Sequence, residues 1–233
     1  MKFLIKPADN SLSLILEAIQ YNKIWAEHSR KIYKAFRDVS GLEFQQRGIT
    51  AHVSPTITSM AGIPGTPMQL AGGDHRSLEF KLLTIIHELT HRLLGGNCLG
   101  PVSLGLVPQS EAHSDLYAEF EHRHVYLLEY DVVIQALGKE WGKHCRDYEG
   151  RYTDNKDLPH NKAWQWAMSM TPDERQRAVK ILASKAVTRE NWSDEDTELI
   201  DPEAWFSLLT KHELIPGKQI HQTSQQGKSH SFQ

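Results

Sequence analysis

The chain has 233 residues, 39% hydrophobic and 24% charged, with 26 lysines and arginines against 29 acids for a formal net charge of −3. That composition excludes a chain disordered throughout, and the charge balance leaves no basic field to hold a nucleic-acid backbone by counterion release. Cys98 and Cys145 form no Cys-x-x-Cys pair, which excludes a disulfide framework or a cysteine-rich zinc site and points to a cytoplasmic protein.

The opening residues Met1 to Lys6 hold only three apolar residues before a charge, and the run Leu12 to Ile19 is broken by Glu17, so neither a secretory segment nor a membrane span is expected. Apolar spacing predicts two helices, Asn10 to Tyr21 and Ile24 to Phe36, broken near Asn22. From Gln46 to Met60 β-branched and alternating residues predict a small sheet, closed by Gly62, Pro64 and Gly65. Pro67 to Ala71 reads as a brief edge strand.

Asp74 or Ser77 can cap a helix over Leu78 to Leu94 that is apolar on nearly every face and must be buried. Asn97 to Gln109 reads as a loop, and a long helix is predicted from about Ser110 to Leu137, ending at Gly138. Shorter helices follow around Trp141 to Tyr148 and Lys162 to Met168. Thr171-Pro172-Asp173-Glu174 is a capping box that starts a helix to Lys185. Another short helix is predicted at Asp201-Pro202-Glu203, with a disordered tail from Gly217 to Gln233. The whole is an α+β fold, mainly helical, with little sign of alternating βαβ units. Residues 1–138 form the expected core, 139–216 a helical extension packed on it, and 217–233 the tail.

Inside the buried helix stands His87-Glu88-Leu89-Thr90-His91. Histidines four apart lie about 40° apart around a helix and one turn along it, so both imidazoles can reach one metal ion. Glu88 falls about 100° round, beside the metal, where a carboxylate can move a proton between an attacking water and a leaving amine. Zinc suits two nitrogens, one oxygen and an open position. The third ligand is sought on the next helix, where Glu111 can ligate while Asp115, one turn on, orients His87. Glu119, Glu121 and His122 compete for that place. His122 lies about 16 Å further along the axis and replaces Glu111 only if the two helices cross at a different level. Tyr117, Tyr126 and Tyr130 read as core or boundary aromatics, His113 and His124 as exposed, and Cys98 as a small buried hydrophobe. Trp164, Trp166, Trp192 and Trp205 read as packing for the extension.

The string from His87 to His91, then nineteen residues, then Glu111-Ala112-His113-Ser114-Asp115, resembles the signature of the thermolysin-like zinc peptidases, the gluzincins. The likeness covers residues 87–115 and is closest in kind to compact bacterial and phage members. It implies a zincin-like core in which His87, His91 and Glu111 bind zinc, Glu88 is the general base and Asp115 supports His87. It also implies that Pro67 to Ala71 takes the substrate peptide as an added strand. The specificity pocket would form around Ala61 to Gly73 and the loop Asn97 to Gln109. The expected function is that of a zinc-dependent metallohydrolase, specifically an intracellular metallopeptidase acting on peptides or proteins. The rival expectation is an inactive zincin-like interaction module whose metal, if bound, is structural. Nothing in these motifs sets an oligomeric state.

Overall fold

A computed structural model describes residues 2–56, 59–62, 66–72, 76–149 and 157–187. Several expectations lie outside the described residues: the helix at Asp201-Pro202-Glu203, the tail from Gly217, Trp192, Trp205, and Asp74 as a cap. The elements run β1 (Lys2–Pro7), α1 (Leu12–Ser40), β2 (Gly48–Ser54), β3 (Met68–Ala71), α2 (Leu78–Gly96), a 3-10 turn (Gln109–Glu111), α3 (Asp115–Leu137), α4 (Trp141–Glu149), α5 (Pro159–Met168) and α6 (Pro172–Ala183). Among the described residues the α+β architecture is thus mainly helical, with one three-stranded sheet in the order β1-β2-β3, parallel throughout. Among the described residues no helix is long and apolar enough to cross a membrane.

Two departures from the sequence expectation lie at the N-terminus. Lys2–Pro7 is a strand, in register Lys2 with Gly48 through Pro7 with Val53. Parallel strands need a crossover, and α1 supplies it, so β1-α1-β2 is a βαβ unit that the sequence pattern did not suggest. Further, α1 is unbroken. Asn22, expected at a break, keeps its place in the helix because its side-chain amide donates to the Ala18 carbonyl one turn back at 2.8 Å and to the Ile5 carbonyl of β1 at 3.0 Å. A residue that favours turns because it bonds backbone here spends that capacity on tying helix to sheet. Gly41, at φ +71°, then ends the helix.

Strand alternation puts Ile5, Ile49, Ala51, Val53, Met68 and Leu70 on the inner face. They pack on Leu14, Ala18, Tyr21, Ile24 and Trp25 of α1 within one continuous core. α2 touches β3, α1 and α3, which explains a helix apolar on nearly all sides. A buried ion pair crosses this core. Lys81 of α2, 1% exposed, holds Glu17 of α1 at 2.9 Å, donates to the Arg76 carbonyl at 2.8 Å and lies over the Tyr21 ring. The remaining helices close around α3. α5 lies along it, α4 contacts α2 and α3, and Arg175 of α6 clamps Asp131 of α3 with three contacts of 3.0 to 3.2 Å.

Candidate metal centre

The motif helix begins where the sequence places it. Ser77 caps α2 by accepting from the Phe80 amide. From there the helix carries His87 and His91 on one face, and both His87 and Glu88 are buried. The two rings stand 4.9 Å apart between centroids, and their Nε2 atoms are 3.2 Å apart.

The third partner differs from the expectation. Residues Gln109–Glu111 form a single 3-10 turn on the surface, and α3 starts only at Asp115, capped by the Ser114 hydroxyl accepting from the Tyr117 amide at 3.1 Å. Glu111 and Asp115 are exposed and neither belongs to the histidine group. The physical reason is where α3 becomes buried. Its inward face runs His122, Val125, Tyr126, Glu129, Val132, Val133 and Ala136, a helical stripe that meets α2 well past the first turn. The helices therefore cross at the level of His122. Among the described residues, His87, His91 and His122 offer ligand atoms that all lie within 4.8 Å of one another. Of the other expected competitors, Glu119 pairs with Arg123, and Glu121 lies beside the group.

The rings are oriented from behind. His87 Nδ1 donates to Glu129 Oε2 at 2.9 Å, and His122 Nδ1 donates to the Ala118 carbonyl at 2.8 Å. His91 Nδ1 faces Glu121 Oε1 at 3.5 Å, and the Tyr117 hydroxyl donates to that same oxygen at 3.3 Å. With Nδ1 engaged, the Nε2 of His87 and of His122 is left as a lone pair. The His87 lone pair faces His91 Nε2 across 3.2 Å, a separation that a shared proton or a cation between the two nitrogens satisfies. Bonds of 2.0–2.1 Å to a tetrahedral zinc would put two nitrogens about 3.3–3.4 Å apart, so the residues present fit the ion.

The local charges agree with that. Burial, helped by the His91 and His160 rings, pushes His122 down to about 3, so it is neutral and able to ligate at neutral pH. Burial alone would raise Glu121, but His91, His122 and the Tyr117 hydroxyl outweigh it and hold the carboxyl at about 2. The Tyr117 hydroxyl is raised by burial and by the charge of Glu121.

Around the cluster stand Tyr126 and Tyr148, with ring centroids 5.7 and 6.2 Å from that of His87, and Trp164 packs edge-on against Tyr126. The extension thus forms a wall of the site. His124, expected to be exposed, is half-buried with Nδ1 at 3.2 Å from the Leu99 carbonyl, and burial lowers its pKa; His113 is exposed.

Sequence reasoning assigned no role to Glu129 and ranked His122 below Glu111. The signal for both was available: they are polar residues seven apart on a stripe otherwise filled by Val125, Tyr126, Val132 and Val133. A polar group on a core face needs a partner.

The edge strand sits where expected but is not open. Gln69 exchanges both backbone bonds with Met60, at 2.9 and 2.8 Å, the Ala71 amide donates to the Ser59 hydroxyl, and the Ala71 carbonyl accepts from the Tyr21 hydroxyl. The outward backbone groups of β3 are therefore already used. Part of the expected pocket segment, Gly62, Thr66, Pro67 and Gln69, lines a cavity of about 320 Å³ together with His52 and Ser54. None of the three clustered histidines lines it. Arg92, next to His91, is fully buried and donates to the Thr66 carbonyl, tying this segment to the motif helix.

The arrangement defines a three-imidazole site on two crossing helices, backed by carboxylates. No family model matches the chain, and neither a curated protein nor a solved structure matches it.

Proposed function

We propose that the chain is a zinc-dependent metallohydrolase with a zincin-like core, specifically a cytoplasmic metallopeptidase, in which His87, His91 and His122 hold the ion and Glu88 is the general base. The observation that carries this reading is the convergence of three imidazoles in the HExxH context, with His87 and His122 turned Nε2-first by partners on Nδ1. A bound zinc would supply a Lewis acid that polarises the scissile carbonyl and lowers the pKa of water toward neutrality. Glu129 and the Ala118 carbonyl keep their imidazoles in the ligating tautomer. Glu88, adjacent to His87 on α2, takes the proton of the attacking water and passes it to the leaving amine as the C–N bond breaks. A structural ion would need no carboxylate at position 88, and Cys98 and Cys145, buried and not joined in a disulfide, fit a reducing compartment.

The test pairs metal content with hydrolysis of denatured casein. His91→Ala should lose the metal. Glu88→Gln should keep stoichiometric zinc and lose about 10²-fold or more in turnover. A Glu88→Gln protein that cleaves as fast as wild type removes the catalytic assignment.

A further inference from the structure

A fourth histidine stands against the cluster. His160, in the first turn of α5, has its ring centroid 3.8 Å from that of His122, tilted by 49°. Helix register keeps it there. One turn further along both helices Trp164 of α5 meets Tyr126 of α3 edge-on at 5.4 Å, so residues 160 and 164 face 122 and 126 as two matched rows. Its nitrogens lie outside the group whose ligand atoms are mutually within 4.8 Å. His160 therefore touches a ligand ring without belonging to the ligand set in this arrangement.

We propose that His160 is a displaceable fourth ligand of the same metal, whose side chain swings onto the position left by His87, His91 and His122 when the ion is bound and swings off it to admit another ligand. The proposal rests on the three-histidine reading. A tetrahedral ion with three protein ligands takes a fourth from whatever is nearest, and imidazole suits zinc well as a ligand. A tethered imidazole in ring contact with a ligand competes with water at an effective concentration of millimolar or more. The movement needed is a swing of one side chain on a ten-residue helix. The consequence is a latent site. Control of the open position passes to α5, which lies in the extension and not in the motif helix.

The experiment uses the full chain, metal-free, titrated with Co(II) and Zn(II) as wild type, His160→Phe and His87→Ala. Phenylalanine keeps a ring against His122 and removes both nitrogens. Wild type should bind one Co(II) whose visible spectrum is unmoved by azide, and X-ray absorption of its zinc form should count four imidazoles. His160→Phe should admit azide, show three imidazoles and bind zinc about tenfold more weakly or worse. If the substitution unfolds the chain by circular dichroism, His160→Ala is put through the same measurements. Equal zinc affinity and equal azide response in wild type and variant overturn the fourth ligand while leaving the three-histidine site standing. Should His87→Ala also bind zinc like wild type, the underlying reading fails with it.

Discussion

Glu129 is a carboxylate in a dry place, and its value to His87 follows from that. In the low-dielectric core it fixes the Nδ1 tautomer and makes the ring a better donor to a metal. Glu129→Gln should lower zinc affinity about 10–100-fold while keeping the fold, measured by chelator competition beside circular dichroism. The Lys81–Glu17 pair makes a different claim. Lys81→Met leaves a buried carboxylate without its cation and should cost about 3–5 kcal/mol in urea unfolding, whereas Lys81→Met combined with Glu17→Leu should recover most of that. A single substitution as harmless as the double one would show that water reaches the pair. At this scale the convergence of His87 and His91 was legible because the helix imposes their spacing. His122 and Glu129 stood out only as polar breaks in the α3 stripe, and their meeting with His87 was not legible, because the level at which two helices cross is set by tertiary packing of the whole stripe and not by any local string.

Helices were read well where their ends are written in side chains. The capping box at Thr171 is present as expected, with Glu174 Oε2 accepting from the Thr171 amide and hydroxyl and the Glu174 amide donating back. The bond from the Thr171 backbone amide, followed by that from its hydroxyl, holds Glu174 below the usual carboxylate range. A depressed folded-state pKa means the contribution is complete above the ordinary carboxylate value and is lost as pH falls through the lower folded one. Thr171→Ala should therefore flatten the acid side of the stability profile slightly, as followed by thermal melts at pH 3 to pH 6. Strands and breaks were harder to read. β1 is six residues whose inward set is only Phe3, Ile5 and Pro7, and its pairing partner lies more than forty positions away. Asn22 carried a turn residue's local preference, which the Ile5 carbonyl overrode. Asn22→Ala should keep α1 helical but lose about 1 kcal/mol by leaving that carbonyl short of a donor. Chemical denaturation measures the loss, and far-ultraviolet circular dichroism checks the helix.

Across the molecule, the helices of the extension expected beyond residue 138 lie against α3 of the core. Gly138, at φ +104°, ends α3 cleanly, yet Tyr148, His160, Trp164 and Arg175 from beyond it cover the histidines and the face of α3. A chain ending at residue 138 should expose Tyr126 and its neighbours, bind a hydrophobic dye and unfold without a cooperative transition, in contrast to the full chain. A sharp two-state melt of the shortened chain would show that residues 1–138 fold without the extension.

With the outer side of β3 saturated by Met60, Ser59 and Tyr21, a polypeptide that reaches the histidines has no ribbon to join there. Main-chain amides of such a substrate would contribute little to its capture at that strand, and selection would fall on side chains or chain ends. On the metallopeptidase reading proposed above, peptides methylated on backbone nitrogen beside the scissile bond should then compete with ordinary ones nearly as equals.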